Sequence, residues 1–213
     1  MLTVVAWQWG DKFAPHYAER IRSGFKRHLK QEHRFLIIRP QPEDEYLTKI
    51  PGCFARLRMF DPAWQAANGI TDRVVCIDLD TVVTGHLDPL YDRPEPFVIM
   101  QGGNASNPCP YNGAMMMIRA GAHPEVWTDF SLEAAKASPR YEFPDDQGWL
   151  WHKLPNAAGW QTGKETGVYV FRKPGWPMMP NDDLPPGARL VTFSGWRNPE
   201  RFKAVTWVKD NWI

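Results

Sequence analysis

The chain has 213 residues, a length that suits one folded domain burying roughly 70% of its unfolded surface. Its 25 Lys and Arg against 24 Asp and Glu leave a net charge of +1, so no global field draws it to nucleic acid or to an anionic membrane. No apolar run reaches the length of a membrane span, and three cysteines without a C-x-x-C pair or a signal-like start argue against a disulfide framework and for a reducing, cytoplasmic setting.

In chain order, LTVVAW (2–7) predicts a first buried strand. A loop, WGDKFAPHY, follows, with Pro15 well placed at a helix start. Tyr17, Ile21, Phe25 and Leu29 recur at a helical spacing and predict an amphipathic helix over 15–30. Its Arg20, Arg22, Lys26, Arg27, His28 and Lys30 read as a solvated face. HRFLIIRP (33–40) predicts a second strand, ended by Pro40 and Pro42, and 41–52 a proline-rich loop. FARLRMF (54–60) predicts a helix with Arg56 on its polar side, and 74–83 a further strand.

A short turn-helix at 85–92 and a strand at 96–100 come next, then a Gly, Asn and Pro loop at 102–113 and a buried strand, AMMMI, at 114–118. Residues 124–137 predict one helix. PDDQGWLWHKL (144–154) predicts another, its two acids suiting a helix N-terminus. GVYVF (167–171) and ARLVTF (188–193) are late strands on either side of a proline-rich loop at 174–186. This alternation predicts an α/β fold, a mostly parallel central sheet flanked by helices. With no repeat or linker, one domain spans 1–213. Eleven tryptophans are spread along it, and Trp faces stack on sugars and bases as well as filling cores.

The segment VVCIDLDTVV (74–83) carries the strongest chemical signal. Val74, Val75, Cys76, Ile77 and Leu79 read as a strand buried on both faces. Asp78 and Asp80 interrupt it, and carboxylates beside a dry strand are costly unless a cation or donors meet them. Spaced two apart, they can converge on one hard divalent cation whose other ligands are nucleotide phosphate oxygens. The alternative, two acids capping a loop, is the commoner meaning of an isolated D-x-D. Four more polar groups fall at predicted strand ends or helix starts: Trp7 to Phe13, Asn112-Gly113, Asp145-Asp146-Gln147 and Thr192-Phe193-Ser194-Gly195. In open α/β sheets the ligand cleft lies at such strand ends.

On FARLRMF, VVCIDLDTVVTGHLDPLY, YNGAMMMI, DDQGWL and the terminal Phe193-Ser194-Gly195, nearly the whole chain resembles the GT-A glycosyltransferases. The resemblance is strongest to glycosyltransferase family eight, with glycogenin its familiar member, and to related small bacterial enzymes. It implies a single nucleotide-diphospho-sugar transferase domain that moves a hexosyl or pentosyl group from a nucleoside-diphosphate sugar, UDP-linked, to a hydroxyl acceptor. It further implies retention of configuration and a manganese or magnesium ion.

The resemblance also implies roles for residues. Asp78 and Asp80 are the metal–diphosphate pair, with Leu79 beside them at the donor. Arg56 stands where the family has a lysine near the phosphates; its alternative is an exposed helix charge. Asn112 and Gly113 meet the donor sugar, unless they are an ordinary turn before a strand. Asp146 and Gln147 bind sugar hydroxyls beside the anomeric carbon, where carboxylate and amide oxygens stabilise an oxocarbenium-like centre, and Asp145 assists or acts on the acceptor. Trp7, Trp9 and Phe13 seat the nucleobase, Tyr169 faces the cleft, and Gly195 and Arg197 complete the donor side.

Departures stand at the end of the chain. Thr192 and Ser194 occupy the family's histidine places, so the third metal ligand is absent or replaced by a weak hydroxyl. Asn198 and Glu200 stand in the lysine and tryptophan places, leaving Arg197 or Arg201 to supply the lost charge. The acceptor implied is a glycan precursor or lipid-linked saccharide. A modified DNA base is a second acceptor class, suited by the basic helix and tryptophans but disfavoured by the near-zero net charge. A non-catalytic nucleotide or carbohydrate binder is the rival class, and a phosphotransferase or nuclease, lacking a P-loop, ranks last.

Overall fold

The opening apolar run forms β1 (Leu2–Trp7), buried at every position, and the central sheet is built around it. The computed structural model describes residues 1–103, 108–138, 144–178 and 182–213. Within the loops expected at 102–113 and 174–186, residues 104–107 and 179–181 lie outside the described residues. After β1 comes α1 (Pro15–His28), which starts on its proline and ends on Lys26, Arg27 and His28, cations that suit the negative end of a helix. It buries Tyr17, Ala18, Ile21, Gly24 and Phe25.

The chain continues through β2 (His33–Ile38), α2 (Glu45–Thr48), a 3-10 helix at Phe54–Phe60, α3 (Pro62–Ala67), β3 (Arg73–Ile77), β4 (Thr81–Val83), α4 (Asp88–Tyr91) and β5 (Phe97–Gln101). Then follow β6 (Tyr111–Arg119), α5 (Glu125–Thr128), α6 (Leu132–Lys136), α7 (Asp146–Lys153), β7 (Ala158–Gln161), β8 (Val168–Val170), β9 (Leu190–Thr192) and α8 (Thr206–Asn211). Six strands form the main sheet in the order β2-β1-β3-β6-β5-β7, and β4-β9-β8 form a smaller one. In the main sheet β1–β2, β1–β3 and β5–β7 pair in parallel, whereas β6 runs antiparallel to both β3 and β5. The start of β6 therefore lies at the edge where β1 and β3 end.

Successive residues of β3 serve opposite faces, as a strand's period of two requires. Val75 and Ile77 join the core beneath α1, the small sheet and α8, while Val74 and Cys76 join the core beneath the 3-10 helix, α3 and α7. The expectation of a strand buried on both faces holds.

Four local expectations are corrected. The apolar segment 74–83 is two strands, because β3 pairs with β1 and β6 while β4 pairs with β9 in the other sheet. Segment 124–137 is two short helices, since the Ser131 hydroxyl accepts the Ala134 N–H at 3.0 Å and caps a new start. Asn112 and Gly113 lie inside β6 rather than in a turn before it. In the tighter winding at Phe54–Phe60, Arg56 points inward and is only 6% exposed, not on a solvated side. Among the described residues no helix is long and apolar enough to cross a membrane.

Candidate active site

Asp78 and Asp80 stand where the chain leaves one sheet for the other, and each sheet fixes one of them. The Asp78 N–H donates to the Ala114 carbonyl on β6 at 2.9 Å, and the Asp80 carbonyl accepts the Phe193 N–H, just past β9, at 3.0 Å. Side-chain exposure differs, 37% for Asp78 and 7% for Asp80. Burial, followed by the neighbouring charge of Asp78, pushes the Asp80 carboxyl up to about 7, with the Lys12 ammonium pulling the other way. The Lys12 Nζ is 4.0 Å from the Asp80 Oδ2.

Arg56 ties the site together. Its Nε donates to the Asp146 Oδ2 at 2.5 Å, and its Nη1 donates to the Asp78 Oδ1 and to the Gly113 carbonyl, both at 2.8 Å. Burial alone would lower the pKa of the guanidinium, but Asp146 and Asp78 raise it well above its ordinary value and hold the charge. Burial raises Asp146 to about 7 against the pull of Arg56. Gly113 leaves the room this needs: a Cβ there would stand 2.5 Å from the Arg56 Nη2 and 3.2 Å from the Asp146 Oδ2.

The start of α7 supplies the other wall. Asp145 caps it by accepting the Gly148 N–H at 2.7 Å, and Asp145 also accepts the Gln147 Nε2 at 3.2 Å. The Gln147 Oε1 accepts the Gly113 N–H at 3.1 Å, so its amide is held between β6 and its own helix cap. The Asn112 Oδ1 accepts the Ala114 N–H at 3.0 Å.

Two adjoining cavities open on these groups. One, about 160 Å³, is walled by Trp7, Trp9, Phe13 and Leu79; the other, about 270 Å³, by Asn112, Gly113, Gln147, Thr192, Ser194 and Gly195. Lys12, Cys53, Arg56, Asp78 and Asp80 line both. Trp7 stacks on Trp64, with centroids 5.7 Å apart, and Trp9 meets Trp7 edge-on at 6.3 Å. An aromatic chamber thus joins a polar one across the carboxylate pair.

Several expected residues fall elsewhere. Tyr169 is buried in the core against Trp176, 3% exposed and outside both cavities, because the strand it sits on turns its ring inward. Asp145 and Asp146 line neither cavity: the first is spent as a helix cap and the second lies behind Arg56. Arg56, expected near the phosphates, lines both cavities, but its Nε and Nη1 are committed to Asp146, Asp78 and the Gly113 carbonyl, so no two-nitrogen fork is left for a phosphate. Arg197 stacks on Trp196 at 5.1 Å and lines neither cavity.

Of the two hydroxyl candidates, Thr192 accepts from the Thr81 hydroxyl at 3.3 Å, whereas the Ser194 Oγ is buried with no hydrogen-bond partner among the described residues. Among those residues no cluster of three His, Cys, Asp or Glu side chains could hold a metal. Lys12 lies within the expected Trp7 to Phe13 group but was not singled out there, and Cys53 was not expected. A lone lysine in the WGDKF loop and a lone cysteine before FARLRMF carry no spacing pattern, and only Cys53's left-handed backbone, φ 57°, marks it in the structure.

No family model matches the sequence, and no curated protein sequence matches it. Solved structures do. A galactosyltransferase, LgtC, determined with donor and acceptor sugar analogs, superposes with a TM-score of 0.61 at 14% identity, over 99% of this chain and 96% of that one. A glycosyltransferase involved in glycosylation of the major capsid of PBCV-1 gives 0.63 at 15% identity, over 96% and 98%. The glycosyltransferase GlyE of Streptococcus pneumoniae TIGR4 gives 0.63 at 14% identity over all of this chain, which spans 62% of that chain. At such identities the likeness is one of fold, and the fold is the GT-A fold that the sequence predicted.

Proposed function

We propose that this chain is a metal-dependent glycosyltransferase that moves a sugar from a UDP-linked donor to a hydroxyl acceptor, with retention. The observation that carries the reading is the pair of cavities sharing Asp78 and Asp80, one aromatic and one polar, at the carboxyl edge of β1 and β3. Trp7, Trp9 and Phe13 offer flat faces for the base, and the polar chamber has hydrogen-bonding groups for a diphosphate and a sugar.

The residues present fit a hard divalent cation, manganese or magnesium. Two carboxylates line the same cavities there, and the Ser194 hydroxyl, orphaned on the same wall, is a third oxygen donor of the right kind. Such a cation, when bound, neutralises the diphosphate leaving group. Arg56 is a positioning residue: its three bonds fix Asp78 towards the cavity and hold β6 against α7. Asp146 acts through Arg56 rather than on the sugar. Gln147 is the group of α7 that faces the cavity, and its amide oxygen is oriented to stabilise positive charge developing at the anomeric carbon.

Incubation with a panel of nucleotide sugars and manganese tests this. Release of UDP from a UDP-sugar above the protein-free rate is expected, since water replaces the acceptor slowly. No release and no transfer from any donor would overturn the reading. A second reading, a non-catalytic binder, is favoured by the lack of a third carboxylate or histidine at the site among the described residues. Stabilisation by a nucleotide sugar without any release would assign the chain to that class.

A further inference from the structure

Charge around the two cavities is unevenly committed. Among the described residues that line both, Arg56 and Lys12 are the cations, facing Asp78 and Asp80. Arg56 is spent on Asp146, Asp78 and the Gly113 carbonyl, and 7% of its side chain is exposed. A diphosphate entering beside two carboxylates would meet like charge that Arg56 has no free fork to offset. Lys12 is different. Its side chain is 67% exposed, its Nζ is at the outer limit of an ion pair with Asp80 at 4.0 Å, and it lies 4.6 Å from the centroid of the Phe13 ring.

Resting on the donor reading above, we propose that Lys12 is the residue that grips the donor's diphosphate, its ammonium exchanging Asp80 for phosphate oxygen as the donor enters. An ammonium on a flexible stem has three donors and can turn from one anion to another without rebuilding its surroundings. The loop after β1 brings it between the aromatic wall and the carboxylates, the junction a diphosphate must cross if the base lies in one chamber and the sugar in the other. The Asp80 carboxylate, 4.0 Å away, keeps Lys12 near that junction. The binding charge is thereby supplied from the first strand of the sheet, and no cation from the end of β9 lines either cavity among the described residues.

Calorimetric titration of UDP and of uridine, in EDTA and again with manganese, tests the assignment on wild type, Lys12→Ala and Lys12→Arg. Loss of one charge-assisted contact predicts that Lys12→Ala weakens UDP about tenfold in both media while uridine is unchanged. Lys12→Arg should bind UDP within about threefold of wild type, because charge rather than geometry is required. Equal UDP affinity in wild type and Lys12→Ala would overturn the role of Lys12 and leave the donor reading standing. An equal loss for uridine would make the effect structural and overturn it as well. If wild type bound no nucleoside diphosphate, the donor reading would fall, and this inference with it.

Discussion

Arg56 is a charge the fold can hold only because three acceptors surround it. Removing one partner of a buried pair strands the other, at a cost of about 3–5 kcal/mol. Arg56→Ala should lose about that much in urea unfolding, and a loss below about 1 kcal/mol would contradict the account. Gly113→Ala drives a methyl into the same guanidinium, so it should lower turnover far more than it lowers stability. Asp80 sets a pH dependence. Its carboxyl sits at about 7 in the fold but near 3.9 when unfolded. Its contribution to cation-free stability is therefore greatest below the unfolded value and lost as pH rises through about 7. Cation-free protein should melt higher at pH 5 than at pH 8, and Asp80→Asn should reduce that slope, with Asp146, also raised to about 7, supplying the remainder; an unchanged slope would refute the part given to Asp80. Asp78 and Asp80 were legible because charge breaking a dry apolar run has few explanations. The burial of Arg56 was not, because one cation in a seven-residue amphipathic stretch reads as its solvated side.

At the scale of elements, the site depends on where strands stop. β3 gives way to β4 across Asp78, Leu79 and Asp80, and the two backbone bonds to Ala114 and Phe193 pin that link from both sheets. The apolar pattern resumes after each acid, at Leu79 and again at Val82 and Val83, so the sequence reads as one strand where pairing makes two. β6 was foreseen as a strand but not its direction: antiparallel entry is set by its partners, and nothing in AMMMI encodes it. The helix at 144–154 was read well from its acids, yet which acid caps it needed coordinates. Asp145 is that cap and also the anchor of the Gln147 amide. Asp145→Ala should cost about 1 kcal/mol as a lost N-cap, together with a fall in turnover because Gln147 is released. Full activity in that variant would separate Gln147 from the chemistry.

For the molecule as a whole, alternating strands and helices predicted an α/β fold, the motif resemblance implied the GT-A form of it, and the superpositions bear that out. Convergence of distant segments on one edge was expected too, and β1, β3, the start of β6, α7 and the end of β9 do meet there. What the sequence could not show is the division of that edge into two chambers, or which expected residues lie behind the cavity walls rather than on them. On the proposed ligand set of Asp78, Asp80 and Ser194, a cation would draw its remaining ligands from the donor, so metal and nucleotide should bind cooperatively. The most direct measurement is UDP affinity with and without manganese in wild type, Asp78→Asn and Asp80→Asn. Manganese should tighten UDP binding to wild type and do nothing for either variant, while Asp80→Asn melts no lower than wild type in the absence of cation and Asp78→Asn, which takes a charge partner from Arg56, melts lower. Manganese-dependent UDP binding that persists unchanged in both variants would contradict the account.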